Sequence, residues 1–136
     1  MPAFGRYYGG AMAKKRTRIY DPNIIEALRE LPFPLRDTKR NLLICLDNER
    51  ARSNQNRLEH IAKAAHGLTP RDIESIPVAI AGKPMLRKDK RRENAFNYFF
   101  QRKGDPERII QIAVRIDPRE PNVARIKTIF ITKYSK

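Results

Sequence analysis

Both histidines of the chain lie in the segment RLEHIAKAAHGLT, and their spacing limits the chemistry that they can share. The segment has the apolar periodicity of one helix, which Gly67 is expected to end. On such a helix, His60 and His66 are rotated by about 120° from each other, so they cannot hold one metal ion together. The sequence also has a single cysteine, so no cysteine pair completes a tetrahedral site. The residues therefore predict neither a metal site nor a cofactor.

The histidines suit acid–base chemistry better, because imidazole titrates near neutral pH. RNA supplies its own nucleophile, the 2′-OH, so strand cleavage needs only a base, an acid and groups that hold the phosphorane oxygens. His60 lies beside the apolar stripe of the predicted helix and is the first candidate for proton transfer. His66 is the second candidate, since a histidine near a helix C-terminus is also explained as a cap that the helix dipole favours. A structural or merely exposed role remains the alternative for both.

The last strand pattern, VARIKTIFITKY, adds hydroxyl groups to the candidate site. Strand alternation puts Thr128, Thr132 and Tyr134 on one face, together with the apolar side chains of Ile126 and Phe130. Hydroxyls in such a row can bind a phosphate. The alternative is that threonine simply favours strands and that the C-terminal tyrosine frays.

The segment from residue 83 to 102 supplies cations and a tyrosine. The stretch KPMLRKDKRREN reads as a basic loop in front of the strand AFNYFFQRK. Arg87 and Lys88 are candidate catalytic cations, and Tyr98 is a candidate for stacking on a base or for core packing with a hydrogen-bonded tip. The same loop contains four further cations that can bind the RNA backbone or simply keep the loop in solvent, namely Lys83, Lys90, Arg91 and Arg92.

The overall charge favours a polyanionic partner. The 136 residues include 29 Lys and Arg against 15 Asp and Glu, which gives a net charge of +14. The single cysteine, Cys45, lies in an apolar run, and one cysteine cannot form a disulfide framework within the chain. The sequence has neither a stretch of about 20 apolar residues nor the apolar centre of a signal peptide, so we expect no membrane partner and a cytoplasmic site of action, after delivery by a phage or by secretion.

The arrangement of elements predicts an α+β fold in which N-terminal helices pack on a small antiparallel β-meander. Residues 1–18 read as a mobile basic arm and residues 19–136 as a single domain. Asp21 and Pro22 begin a short amphipathic helix, and Thr69, Pro70 and Asp72 have the spacing of a capping box. The strand patterns are NLLICLD, AFNYFFQRK, RIIQIAVRI and VARIKTIFITKY, of which the last three form the meander.

In this order, the motifs resemble the phage-type toxin nucleases of the barnase, EndoU, colicin D and RelE-like superfamily. The resemblance covers residues 41–134 and rests on EHI, the basic loop, NAFNYFF, IIQIAVRI and IKTIFITKY. It implies that the following residues surround the scissile phosphate: His60, Arg87 or Lys88, Tyr98, Thr128, Thr132 and Tyr134. The helix DPNIIEALREL, the linker with two prolines and the length of the basic loop depart from the family pattern.

The leading interpretation is a metal-independent endoribonuclease toxin that acts on RNA, with tRNA the favoured substrate, and leaves a 2′,3′-cyclic phosphate. Such a toxin implies an acidic immunity protein or antitoxin as a second partner. Two alternatives stay open: a non-catalytic RNA- or DNA-binding protein, for which the charge and the meander suffice, and a small structural protein of a phage particle or ribosome.

Overall fold

The computed structural model describes residues 20–46, 56–63 and 66–133. Within them, the helices are α1 (Pro22–Glu30), α2 (Asn56–Ile61), α3 (Pro70–Glu74) and α4 (Ile76–Ala81). The strands are β1 (Leu35–Asp37), β2 (Leu42–Leu46), β3 (Met85–Lys88), β4 (Ala95–Arg102), β5 (Asp105–Ile116) and β6 (Val123–Lys133). The fold is therefore of the α+β class, as the sequence predicts.

The six strands form one sheet in the order β1-β2-β6-β5-β4-β3. The predicted antiparallel meander is confirmed, because β4 pairs with β5 and β5 with β6 in antiparallel register. The sheet is nevertheless larger than predicted. β2 joins β6 in parallel, and β3 forms an antiparallel edge strand within the segment that was predicted to be a loop.

Side-chain caps begin two of the helices as the sequence predicts. The Asp21 carboxylate accepts a hydrogen bond from the Asn23 backbone N–H at 2.8 Å, at the start of α1. At α3, Thr69 and Asp72 form the reciprocal capping box. The longest described helix, α1, has nine residues, and no helix in the described part of the chain has the length and apolar character needed to cross a membrane.

The two faces of the sheet have different compositions. On one face, strand residues such as Ile44, Ile112 and Ile126 are fully buried in the core together with α1 residues such as Ile24. We call this the core face. The alternate residues of β3 to β6 form the other face, the open face, and most of them are half-buried or exposed. The open face comprises Met85, Arg87, Ala95, Asn97, Phe99, Gln101, Ile109, Gln111, Ala113, Arg115, Arg125, Thr128, Phe130 and Thr132.

A β-bulge in β6 changes which of its residues share a face. Val114 of β5 pairs with Ile126, but Ala113 pairs with Thr128, so Lys127 is the extra residue. The predicted row from Ile126 to Thr132 on one face is therefore wrong. Ile126 is on the core face, whereas Thr128 and the alternate residues that follow it are on the open face.

Candidate active site

The structure brings the two histidines together, which the prediction of one continuous helix does not. α2 ends at Ile61, and the chain has turned by the time it reaches Gly67, whose φ of +73° belongs to the left-handed region that glycine tolerates. As a result, the rings of His60 and His66 lie with their centroids 5.2 Å apart and their planes perpendicular. The expected rotation of about 120° on a shared helix is wrong because the helix is shorter than its apolar pattern suggests.

His66 packs against β6 at Ile129, which lies beyond the part of β6 that pairs with β2. Its Nδ1 lies 2.8 Å from the carbonyl oxygen of Ile129. Because a carbonyl only accepts, this hydrogen bond requires the tautomer in which Nδ1 carries the proton and Nε2 is the basic nitrogen. Burial lowers the pKa of His66 below 6.5, and the charge of Lys63 acts in the same direction, against the opposing effect of the backbone hydrogen bonds. Burial thus favours the neutral form of His66, and the contact with Ile129 orients its ring.

A buried ion pair holds the turn that presents His66. Arg102 of β4 donates to the carbonyl oxygen of Gly67 at 3.3 Å and to both carboxylate oxygens of Asp72 at 3.0 Å. Asp72 is 4% exposed and is also the capping-box residue of α3. The position of the turn is therefore linked to both the sheet and a helix.

Phe130 and two threonines complete the surroundings of the histidines. The Phe130 ring lies 6.1 Å from the His66 ring, centroid to centroid. Thr128 and Thr132 are two residues away on either side, with Cα atoms about 7 Å from that of Phe130 on the same face of the strand. We call these five residues the histidine edge. The Thr128 hydroxyl is buried and has no hydrogen-bond partner among the described residues, an unusual state beside a bulge.

Tyr98 is a correction, because the structure excludes it from any contact with RNA. The side chain is on the core face with 0% exposure, and its hydroxyl donates to Asp37 at 2.6 Å. Burial and the Asp37 carboxylate both raise the pKa of the tyrosine. Asp37 also accepts from Arg40, so the three side chains form a buried polar network. Of the two roles considered from the sequence, core packing with a hydrogen-bonded tip is the correct one.

The two candidate catalytic cations are far from the histidines. Arg87 and Lys88 lie on β3, which is three strands from β6, a distance of about 14 Å. They also point to opposite sides, since Arg87 pairs with Asn97 of the open face and Lys88 with Phe96 of the core face. The structure therefore places neither of these two alternative cations beside the histidines.

The remaining predicted cations are exposed and lie around the β3–β4 hairpin. Lys83 precedes β3, whereas Lys90, Arg91 and Arg92 are in the turn that follows it. These positions suit contacts with an RNA backbone but are not part of the histidine edge. Tyr134 and the basic arm of residues 1–18 lie outside the described residues.

The open face contains a hydrogen-bonded amide pair that the sequence analysis did not find. The Gln111 Nε2 donates to the Asn97 Oδ1 at 3.1 Å, between neighbouring strands. Gln111 pairs in register with Phe99 on one side and with Phe130 on the other. The alternation of β4 and β5 places each of these residues on a face, but the register that aligns them is a tertiary property.

A cleft of about 720 Å³ is separate from the histidine edge. It lies between α3, α4 and the β4–β5 hairpin, where Arg71, Val78 and Phe100 are among its lining residues. None of the candidate catalytic residues is among its lining residues. In the described residues, no group of three or more His, Cys, Asp or Glu side chains is arranged to hold a metal ion.

Comparisons with models of protein families, with curated proteins and with solved structures find no match to this chain.

Proposed function

We propose that the protein is a metal-independent endoribonuclease, related to the toxin nucleases that its motifs resemble, with the histidine edge as its active site. The observation that carries the proposal is the pair of imidazole rings 5.2 Å apart, one of them held in a defined tautomer. The packing of the N-terminal helices on the meander, which the arrangement of elements predicts, belongs to the same proposal.

In the proposed reaction, His66 acts as the base and His60 as the acid. The Nε2 of His66 removes the proton from the 2′-OH, and the 2′-oxygen attacks the adjacent phosphorus. His60, in its protonated form, gives a proton to the 5′-oxygen as the bond from phosphorus to that oxygen breaks. The products are a 2′,3′-cyclic phosphate and a 5′-hydroxyl, and no water is consumed. The Thr128 hydroxyl is buried, so its donation to a phosphorane oxygen requires neighbouring side chains to move when RNA binds.

The charge of the chain supports RNA as the substrate. The net charge is +14, and the open face includes Arg87, Arg115 and Arg125, of which Arg125 is paired with the Asp117 carboxylate at 2.8 Å. An RNA strand bound to the open face would run along the sheet toward the histidine edge. tRNA is the substrate that we propose first, and another structured RNA is the alternative.

The experiment is to incubate the purified protein with total tRNA in the presence of EDTA and to identify the new ends. We expect cleavage with 2′,3′-cyclic phosphate and 5′-hydroxyl termini. His66→Asn retains an N–H that can donate to the Ile129 carbonyl but removes the basic Nε2, so the cleavage rate should fall by roughly two to four orders of magnitude with an unchanged melting temperature. His60→Gln should lower the rate by a similar factor. Full activity in either variant, or no cleavage of tRNA, rRNA or mRNA by the wild type, contradicts the proposal.

The second candidate function is RNA binding without catalysis. The observation that favours it is the open face itself, where aromatic and amide side chains lie in one row across the strands. In that case the wild type binds RNA without cleaving it, and His66→Asn and His60→Gln leave the RNA affinity unchanged.

A toxic ribonuclease also needs an inhibitor, and the charge of this chain indicates its chemistry. We propose an acidic immunity protein or antitoxin that covers the histidine edge, because opposite charge accelerates capture. Expression of the wild type alone should stop bacterial growth, whereas expression of His66→Asn should not. Harmless expression of an active enzyme contradicts the need for such a partner.

A further inference from the structure

Three residues in one row of the open face have the spacing of a binding slot for a nucleobase. Phe99, Gln111 and Phe130 lie side by side on β4, β5 and β6, as their strand pairing shows. Adjacent strands are about 4.8 Å apart, so the Cα atoms of the two phenylalanines are about 10 Å apart. A planar base that is stacked between two phenylalanine rings needs about 7 to 8 Å between those rings. The Cα spacing therefore allows the two phenylalanine rings to lie on either side of one base above Gln111.

The floor of this slot has the polar groups that distinguish one base from another. The bond from Gln111 Nε2 to Asn97 Oδ1, 3.1 Å long, fixes the orientation of both amides. Gln111 then keeps its carbonyl oxygen and a second N–H for a ligand, and Asn97 keeps its NH₂ group. An acceptor beside a donor is the pattern with which Asn and Gln side chains recognise a base edge.

The charge around the row favours a nucleic acid over other planar ligands. Arg87 pairs in register with Asn97, and Arg115 is exposed on the neighbouring part of β5. Arg125, by contrast, is paired with the Asp117 carboxylate at 2.8 Å, so Arg87 and Arg115 are the open-face arginines without a carboxylate partner among the ion pairs of the described residues. A base can enter the slot only from a single strand, because the faces of paired bases in a duplex are already stacked.

The slot is continuous with the histidine edge, since Phe130 belongs to both. Its ring lies 6.1 Å from that of His66. We infer that the protein reads one base of single-stranded RNA between Phe99 and Phe130 through the Gln111 amide, directly beside the phosphate that the histidines cleave. The inference rests on the proposed function for the adjoining phosphate, whereas the base preference itself can be measured without cleavage.

The test is to measure the binding of four 2′-O-methyl RNA hexamers, each made of a single base, which cannot be cleaved because their 2′-oxygens are blocked. We expect the wild type to prefer one of them by about tenfold or more, as a bidentate contact to a base edge allows. Gln111→Ala should reduce the preference to less than about threefold. Phe99→Leu, which keeps an apolar side chain but removes the aromatic face, should weaken the binding of all four hexamers by about fivefold or more.

The matched control is Asn122→Ala, which removes an exposed amide from the β5–β6 turn and should leave the preference unchanged. Equal binding of all four hexamers by the wild type, or a preference that persists in Gln111→Ala, overturns the inference. Tighter binding of a duplex than of the single strand overturns it as well. A base preference in a protein that cuts no RNA refutes the proposed function and leaves the base-reading slot standing.

Discussion

The two faces of strand β5 differ in what their residues contact. Ile110 and Ile112 are fully buried among other apolar side chains, whereas Gln111 between them bonds to Asn97 and remains half-buried. Arg115, on the same face as Gln111, is exposed. One strand thus contributes to the core with every second residue and to the proposed RNA surface with the residues in between.

If the open face binds RNA as proposed, stability and function are separated within a few residues. A change on the core face should affect unfolding and leave the chemistry unchanged, whereas a change on the open face should do the reverse. The variants below test that separation, beginning with the largest expected effect.

Ile112→Ala and Ile109→Ala compare the two faces on the same strand. Ile112 is fully buried, so its truncation should lower the free energy of unfolding by about 2 to 5 kcal/mol. Ile109 is half-buried on the open face, and the same truncation should cost about 1 kcal/mol or less. Urea unfolding measures both values. Equal losses would show that the open face is covered as fully as the core face.

Thr128→Val removes a buried hydroxyl that has no described partner and keeps the shape of the side chain. We expect the cleavage rate to fall by about one to three orders of magnitude, because the hydroxyl is proposed to contact the phosphorane. The melting temperature should stay the same or rise, since no internal hydrogen bond is lost. Thr38→Val, in the exposed β1–β2 turn, is the control. A destabilised Thr128→Val with full activity would assign the hydroxyl to folding.

Tyr98→Phe tests the correction that places this tyrosine in the core. Asp37 loses the hydrogen bond of 2.6 Å and keeps that of Arg40, so the free energy of unfolding should fall by about 1 to 3 kcal/mol. Cleavage at a temperature where the variant is folded should remain unchanged. A loss of cleavage in a variant with the wild-type melting temperature would show that Tyr98 belongs to the active site.

Arg87→Ala and Lys88→Ala compare adjacent residues on opposite sides of β3. Arg87 belongs to the open face, so its loss should weaken RNA binding and reduce the slope of log K against log salt by about 0.7 to 1. Lys88→Ala should have a clearly smaller effect. Titrations at several salt concentrations give both slopes, and equal changes would mean that the RNA does not follow the open face.

The pH dependence of cleavage should show the environment of His66. Burial lowers the pKa of this histidine below 6.5, so the neutral base persists at a lower pH than in an exposed histidine. The acidic limb of kcat/KM should therefore lie below pH 6.5. The same shift makes the fold more stable as the pH rises through the interval between the folded pKa and 6.5, and His66→Asn should abolish this dependence. An acidic limb above pH 6.5 would contradict the assignment of His66 as the base.

Local patterns in the sequence predicted the helix caps and the main strands. Asp21 and the pair of Thr69 and Asp72 were identified because capping depends on neighbouring residues alone. The alternation of β5 was identified for the same reason, since its buried residues recur at every second position.

Tertiary pairing decided the features that were missed. β3 is a short strand at the edge of the sheet and pairs only with β4. Its four residues are exposed or half-buried, so its sequence does not alternate between apolar and polar side chains. The bulge at Lys127 is set by the register with β5, which a single strand does not encode. Both histidines were singled out, but the turn that joins them depends on contacts of His66 and Gly67 with β6 and β4.

The parallel pairing of β2 with β6 has a consequence for how the molecule folds. Leu43 and Val123 are partners in the sheet although they are about 80 positions apart in the chain. Closing so long a loop costs more entropy than forming the β4–β5–β6 hairpins, whose strands are neighbours in sequence. We therefore expect the meander to form early and both β2 and α2, which are distant from β6 in sequence, to dock late. A folding intermediate would then display the open face before the histidines have met, so that RNA could be bound by a chain still unable to cut it.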